Sequence, residues 1–178
     1  MEEKPRSVSQ HALLYGVITG VVLIVFSLIL FLVNLHMNKT LNYISYIFII
    51  GGMLLCSLDY RKKYLNGYMS YGKAFTACFL VGLYAAILSG IYTYFFAQFI
   101  HPGLVQELIE QARENVMAAN QNMSEEQLET ALAYSTKFMS PPFLAIWGLI
   151  GTAIISTIIS LILAIFIKKE DKTLMPSA

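Results

Sequence analysis

Charge is the scarcest property of this 178-residue chain: Asp, Glu, Lys and Arg together make up 13% of it, against 57% hydrophobic residues. No Asp, Glu, Lys or Arg occurs from Ala12 to Leu35, from Leu41 to Leu58, from Ala74 to Phe99 or from Phe143 to Ile167. A soluble domain of this size cannot cover its surface with so few charges, so an ordinary cytosolic fold is excluded. Cysteine is nearly absent. The only two, Cys56 and Cys78, lie inside apolar runs, which leaves no CxxC redox pair, no zinc-ligand spacing and no disulfide framework. Proline avoids the runs: Pro5, Pro102, Pro141, Pro142 and Pro176 all fall outside them, as uninterrupted helices require. A net charge of +1 gives no reason to expect a polyanionic partner, and no nucleic acid is expected. The first apolar run is also too long for a signal-peptide core and shows no small-residue cleavage site, so it is expected to be retained.

What is present is four stretches of membrane-spanning length. A run of about 24 residues makes a helix of about 36 Å, enough to cross a hydrocarbon core of about 30 Å. The spans are placed at about 12–35, 41–65, 71–99 and 143–167, with tails at 1–11 and 169–178. The second apolar run is short by itself and is extended through Arg61, Lys62 and Lys63, whose long side chains can snorkel to the headgroups. Asn66-Gly67 supplies residues that cap a helix in the left-handed conformation, and Ser70 opens the next helix. Asp59 sits at the end of the second span, where Arg61, Lys62 or Lys73 could pair with it. The third and fourth spans are separated by the one sizeable polar segment, 103–140. There Val105, Leu108, Ile109, Ala112 and Val116 recur at helical spacing, with Glu107, Glu110 and Glu114 opposite. Ser124 followed by Gln127 has the form of a capping box, and Leu128, Ala131, Leu132 and Phe138 make the apolar side of a second helix. The predicted fold is therefore all-α: four transmembrane helices in an antiparallel bundle, with an external amphipathic helical hairpin between helices three and four.

Nine of the twelve Lys and Arg residues fall on one side of such a bundle: Lys4, Arg6, Arg61, Lys62, Lys63, Lys73, Lys168, Lys169 and Lys172. Basic residues are retained in the cytoplasm, so both termini are expected inside and the acidic hairpin outside. The N-x-S/T sequons at Asn38 and Asn122 would then face outward.

The hinge sequence YRKKYLNGYMSYGKAF, the small-residue-rich third span, the IYTYFFAQFIHP passage ending at Pro102 and the helical insert before the last span resemble a bacterial membrane family, domain of unknown function 4199, known mainly from Bacteroidetes. The resemblance covers about Ala12 to Lys168. It implies a bacterial inner membrane, where the sequons are unused, and brings no agreed activity.

Small residues recur every four positions along the spans: Ala12, Gly16 and Gly20; Cys78, Gly82, Ala86 and Gly90; Gly148, Thr152, Ser156 and Ser160. Such stripes let helix backbones approach closely. The expected packing positions are Gly16, Gly20, Gly82, Gly90, Gly148 and Ser156, with Gly16 to Gly20 the plainest candidate for a homodimer. Arg61, Lys62, Lys63 and Lys73, interleaved with Tyr60, Tyr64, Tyr68 and Tyr71, are expected to anchor topology or hold anionic lipid rather than nucleic acid. His36 and His101 end spans one and three. They are the only metal candidates, and without a third identifiable ligand no metal or cofactor is expected. No clustered nucleophile, base or ligand set is recognisable, so the expectation is a non-enzymatic envelope protein, structural or bound to a membrane or periplasmic partner through its hairpin. A small transporter or channel subunit is the alternative, with Thr19, Ser27, Asn34, Thr93, Thr152, Ser156 and Ser160 as its only polar lining.

Overall fold

The computed structural model describes residues 7–119 and 124–169, and among them there are six α-helices and no strand. Lys4, Arg6, Lys172 and the sequon at Asn122 lie outside the described residues. The long helices are α1 (Val8–Leu32), α2 (Lys39–Tyr64), α3 (Tyr71–Phe95) and α6 (Pro141–Ile167), each long and apolar enough to cross a membrane. Between the last two lie α4 (Leu104–Ala119) and α5 (Glu125–Lys137).

The helix ends follow cap chemistry more closely than hydropathy. Helix α1 starts at Val8 rather than Ala12 because the Ser7 side chain accepts the Gln10 N–H and satisfies one of the free donors of the first turn. It stops at Leu32 although apolar residues continue to Leu35. Asn34 adopts φ 56°, and the N–H groups of Leu35 and Asn34 turn back to the carbonyls of Leu30 and Phe31, a left-handed cap. Asn38 accepts the Leu41 N–H and opens α2. At the far end of α2, Asn66 at φ 49° and Gly67 at φ 84° reverse the chain, and the Gly67 N–H reaches the Arg61 carbonyl at 2.9 Å. Helix α3 widens into one π-helical turn at Phe96–Ile100, closed by the His101 N–H on the Phe96 carbonyl. Pro141 supplies the first residue of α6, where its missing N–H costs nothing.

The chain divides into two compact units, Met1–Ser89 with Ile150–Ala178, and Gly90–Leu149. In the first, contacts fix the helix directions. Partners descend along α2 as they ascend along α1, from His11 on Tyr60 to Phe26 on Phe48, so these helices are antiparallel. Ser57 on Cys78 and Met53 beside Gly82 make α2 and α3 antiparallel, and Tyr71 on Leu161 with Gly82 on Ser156 do the same for α3 and α6. The core between them consists mostly of small residues and sulfur: Ala12, Met53, Cys56, Ala74, Ala77, Cys78, Val81 and Ala164 are buried. Large apolar side chains point outward instead, among them Leu14, Ile18, Val25 and Ile29 on α1 and Ile154, Ile158, Ile162 and Phe166 on α6. That inversion suits a hydrocarbon solvent, where cohesion comes from close approach of backbones rather than from hiding oil.

In the second unit α4 and α5 pack together. The predicted capping box is present, with Ser124 Oγ accepting the Gln127 N–H and Gln127 Oε1 accepting the Ser124 N–H. Leu128 and Leu132 are buried, whereas Phe138 is 53% exposed and meets Phe143 edge-on.

A Cβ added at Gly82 would lie 2.5 Å from the Ser156 Cβ, whereas one added at Gly148 meets nothing. Gly82→Val is therefore expected to cost about 1–3 kcal/mol, and Gly148→Ala to stay within about 0.5 kcal/mol of wild type. Thermal melts in detergent micelles compare the two, and equal melting temperatures would contradict the packed seam.

Candidate functional site

The basic hinge between α2 and α3 is where the first unit gathers its polar groups. Arg61, Lys62 and Lys63 occupy the last turn of α2, next to the carbonyl end of its dipole. Consecutive helical residues point about 100° apart, so the three serve different neighbours. Arg61 turns to α6, and its Nη1 donates to the Ile167 carbonyl at 2.7 Å, satisfying an acceptor that the end of that helix leaves open. Lys63 lies one turn after Asp59 and its Nζ is 3.1 Å from Asp59 Oδ2. Lys62 is exposed. Beyond the hinge, Met69 and Lys169 exchange two backbone hydrogen bonds of 2.8 Å each, and Lys169 Nζ lies 5.6 Å from the centre of the Tyr68 ring. The hinge thus holds the end of α6 as well as turning the chain. Lys73 is exposed on the first turn of α3.

Asp59 has partners that the sequence did not indicate. Arg61, two residues on, points away from it toward α6, and its place is taken by Lys63 and by two residues of α1. Tyr15 Oη donates to Asp59 Oδ2 at 2.9 Å, and His11 Nε2 lies 3.2 Å from the same oxygen. Three groups therefore converge on one carboxylate oxygen. His11 is 4% exposed and is enclosed by the rings of Tyr15, Tyr60 and Tyr64, at centroid distances of 5.1, 5.4 and 5.6 Å. Tyr84 Oη of α3 reaches Ser9, two residues before His11, at 2.8 Å. The site joins the start of α1 to the end of α2, beside the basic turn of α2 rather than at mid-span.

His11 was missed because it reads as the end of a polar tail. The available signal was Ser7 with Gln10 three residues later, a capping box that starts the helix early enough to carry His11 onto the face of Tyr15.

The other singled-out residues separate into distinct roles. Gly16 faces Tyr84 and Gly20 faces Leu88 on α3, so that stripe is occupied within the chain and is not free for a second copy. Gly82 meets Ser156 and the Met53 methyl, and Gly90 faces Leu149. Gly148 is exposed, and a Cβ added there would meet nothing within 4 Å. His36 belongs to the first unit, where its ring meets Phe31 and its carbonyl accepts from Asn42 Nδ2 at 2.8 Å. His101 belongs to the second unit, where its Nε2 lies 3.0 Å from Glu107 Oε1 across the start of α4.

A cleft of about 430 Å³ opens on the side of the α1–α2 pair, lined by Tyr15, Ile18, Thr19, Val22, Ile47, Phe48, Gly51, Gly52 and Leu55. It is apolar. The Thr19 hydroxyl donates to the Tyr15 carbonyl at 2.7 Å, and Gly52 leaves the space in which that hydroxyl fits between the helices.

Residues 14–169 match a family model described as Protein of unknown function (DUF4199). No curated protein and no solved structure matches the chain.

Asp59→Ala removes the shared partner of Tyr15 and Lys63 and the carboxylate beside His11, and is expected to lower stability by about 1.5–3 kcal/mol, the range for a hydrogen bond to a charged group. Lys62→Gln, which alters no described contact, is expected to melt as wild type does. The same micelle melts decide, and an Asp59→Ala protein as stable as Lys62→Gln would contradict the cluster.

Proposed function

Because the chain belongs to the DUF4199 family, whose function is unknown, we propose its role from its own surfaces: a non-enzymatic multi-pass inner-membrane protein that binds a membrane or periplasmic protein through an external helical hairpin. The four long helices form an antiparallel bundle in this reading, as the alternating directions of α1, α2, α3 and α6 support. Both termini are cytoplasmic, as supported by Arg61, Lys62, Lys63, Lys73, Lys168 and Lys169 lying at or beside helix ends that share one side.

The observation that carries the reading is the surface of α4. That helix is amphipathic, yet none of its residues is fully buried. Val105, Leu108, Ile109, Ala112 and Val116 are only half-covered, and Met117 is 54% exposed. A half-covered apolar stripe flanked by exposed Glu110 and Glu114 suits a protein partner, whereas its acidic flank disfavours an anionic membrane surface. The transporter alternative draws no support from the cleft, whose lining is apolar. Of its proposed lining residues, Thr19 and Ser160 hydrogen-bond to carbonyls of their own helices, and Ser156 packs on Gly82.

Both parts of the proposal are testable. Maleimide that cannot cross membranes is expected to label Glu114→Cys from the outer face of spheroplasts and Lys62→Cys only from the inner face, since native Cys56 and Cys78 are buried. Labelling of both from one face would contradict the topology. A photo-crosslinker at Met117 is expected to trap one discrete partner in native membrane, and co-purification of an identical set of proteins after deletion of residues 103–140 would overturn the hairpin's role.

A further inference from the structure

The cleft on the α1–α2 pair has a floor of glycine and a cation in line with it. Gly51 and Gly52 form the floor with Thr19, and Ile18, Val22, Ile47 and Leu55 form an exposed apolar rim. Gly52 is required there by the helix contact, because a Cβ at that position would collide with the Thr19 hydroxyl. Gly51 is different: a Cβ there meets nothing within 4 Å, so its hydrogen side chain leaves open volume and serves no contact of this chain.

Along α2, Gly51, Leu55, Leu58 and Lys62 recur at four-, three- and four-residue spacing, so Lys62 stands on the cleft's face of the helix. Eleven residues separate Gly51 from Lys62, about 16 Å along the axis. Half of a hydrocarbon core is about 15 Å. An ammonium at headgroup depth therefore places Gly51 near the middle of the bilayer, at the depth of the acyl-chain ends and within reach of a chain whose phosphate lies on Lys62. Of the three consecutive cations, Arg61 is bound to the Ile167 carbonyl and Lys63 to Asp59, which leaves Lys62 directed to its surroundings. The lining offers no free polar group to orient a polar solute, and its volume falls in the range of ligand pockets.

We infer that this face is a binding site for one anionic phospholipid, with an acyl chain in the cleft over Gly51 and its phosphate on Lys62. The inference stands apart from whatever the hairpin binds. Charge selects the occupant: a hydrocarbon chain suits the cleft, and an anionic headgroup suits the cation above it. A transmembrane helix of a partner or of a second copy would fill the cleft equally well but gives Lys62 no role.

The test is lipid retention by the full chain in native mass spectrometry, after reconstitution in nanodiscs of equal parts phosphatidylglycerol and phosphatidylcholine with identical acyl chains. Wild type is expected to keep one phosphatidylglycerol in preference to phosphatidylcholine. Gly51→Leu fills the cleft without meeting the protein and is expected to lose the bound lipid of both kinds with an unchanged melting temperature. Lys62→Gln keeps the cleft and is expected to lose about fivefold in the preference for phosphatidylglycerol, the equivalent of about 1 kcal/mol per juxtamembrane cation. Lys73→Gln, an exposed cation on another helix, is expected to change nothing. The inference is overturned if Gly51→Leu retains lipid as wild type does, if Lys62→Gln leaves the preference intact, or if Lys73→Gln weakens retention as much as Lys62→Gln, which would indicate a diffuse basic collar. It is also overturned if disulfide crosslinking through Ile47→Cys joins two copies across the cleft in native membrane.

Discussion

Close approach of helix backbones is the condition on which the rest of this structure depends. In a hydrocarbon solvent an exposed isoleucine gains nothing by turning inward, so helices hold together only where small residues let their backbones come near and dispersion contacts accumulate. The chain meets that condition with Gly16 and Gly20 beneath Tyr84 and Leu88, Gly52 beneath Thr19, and Gly82 beneath Ser156. Ser57, Ser156 and Ser160 are fully buried beside them. Their hydroxyls bring polar atoms into the seams at low volume, and Ser160 turns its own to the Ser156 carbonyl at 2.6 Å. The outward aliphatic belt and the sparse interior are two aspects of the same solvent.

Polar groups gather where that condition relaxes, at the basic hinge. There the cost of burying His11 and part of Asp59 is offset by Tyr15 and Lys63 on one carboxylate oxygen, which lies 3.2 Å from His11 Nε2, and by a wall of tyrosine rings. Arg61 carries the connection to α6 through a backbone carbonyl, and the Met69–Lys169 bridge adds a second tie. A single turn of α2 thereby contacts both α1 and α6, and its remaining cation, Lys62, is exposed. One short basic run divides into an interhelical cap, an ion-pair partner and a surface charge.

Much of this was legible in the sequence. The four apolar runs, the Asn66-Gly67 reversal and the Ser124 capping box are local signals, and each has the structure that its chemistry implies. Helix ends were less legible to hydropathy than to caps: Ser7 moves the start of α1 outward and Asn34 ends it early. Spacing of small residues identified the seams at Gly16, Gly20 and Gly82 but not their partners, because a four-residue stripe says which face is thin and not what lies on it. Gly148 carries the same spacing, yet a Cβ there would meet nothing within 4 Å. Two of the three partners of Asp59 were illegible because they come from α1, 44 residues away for Tyr15, and only the pairing of α1 with α2 brings them together, whereas Lys63 lies one turn on in the same helix. The amphipathic faces of α4 and α5 could be read because their spacing is local to each helix.

The central claim is that this basic run acts inward as an interhelical tie through Arg61. Hydrogen exchange of the Met69 and Lys169 amides, followed in lipid nanodiscs, tests it most directly. Arg61→Gln frees the end of α6 and is expected to accelerate both amides strongly, while Lys62→Gln leaves them as slow as in wild type. Equal exchange in the two variants would contradict the account.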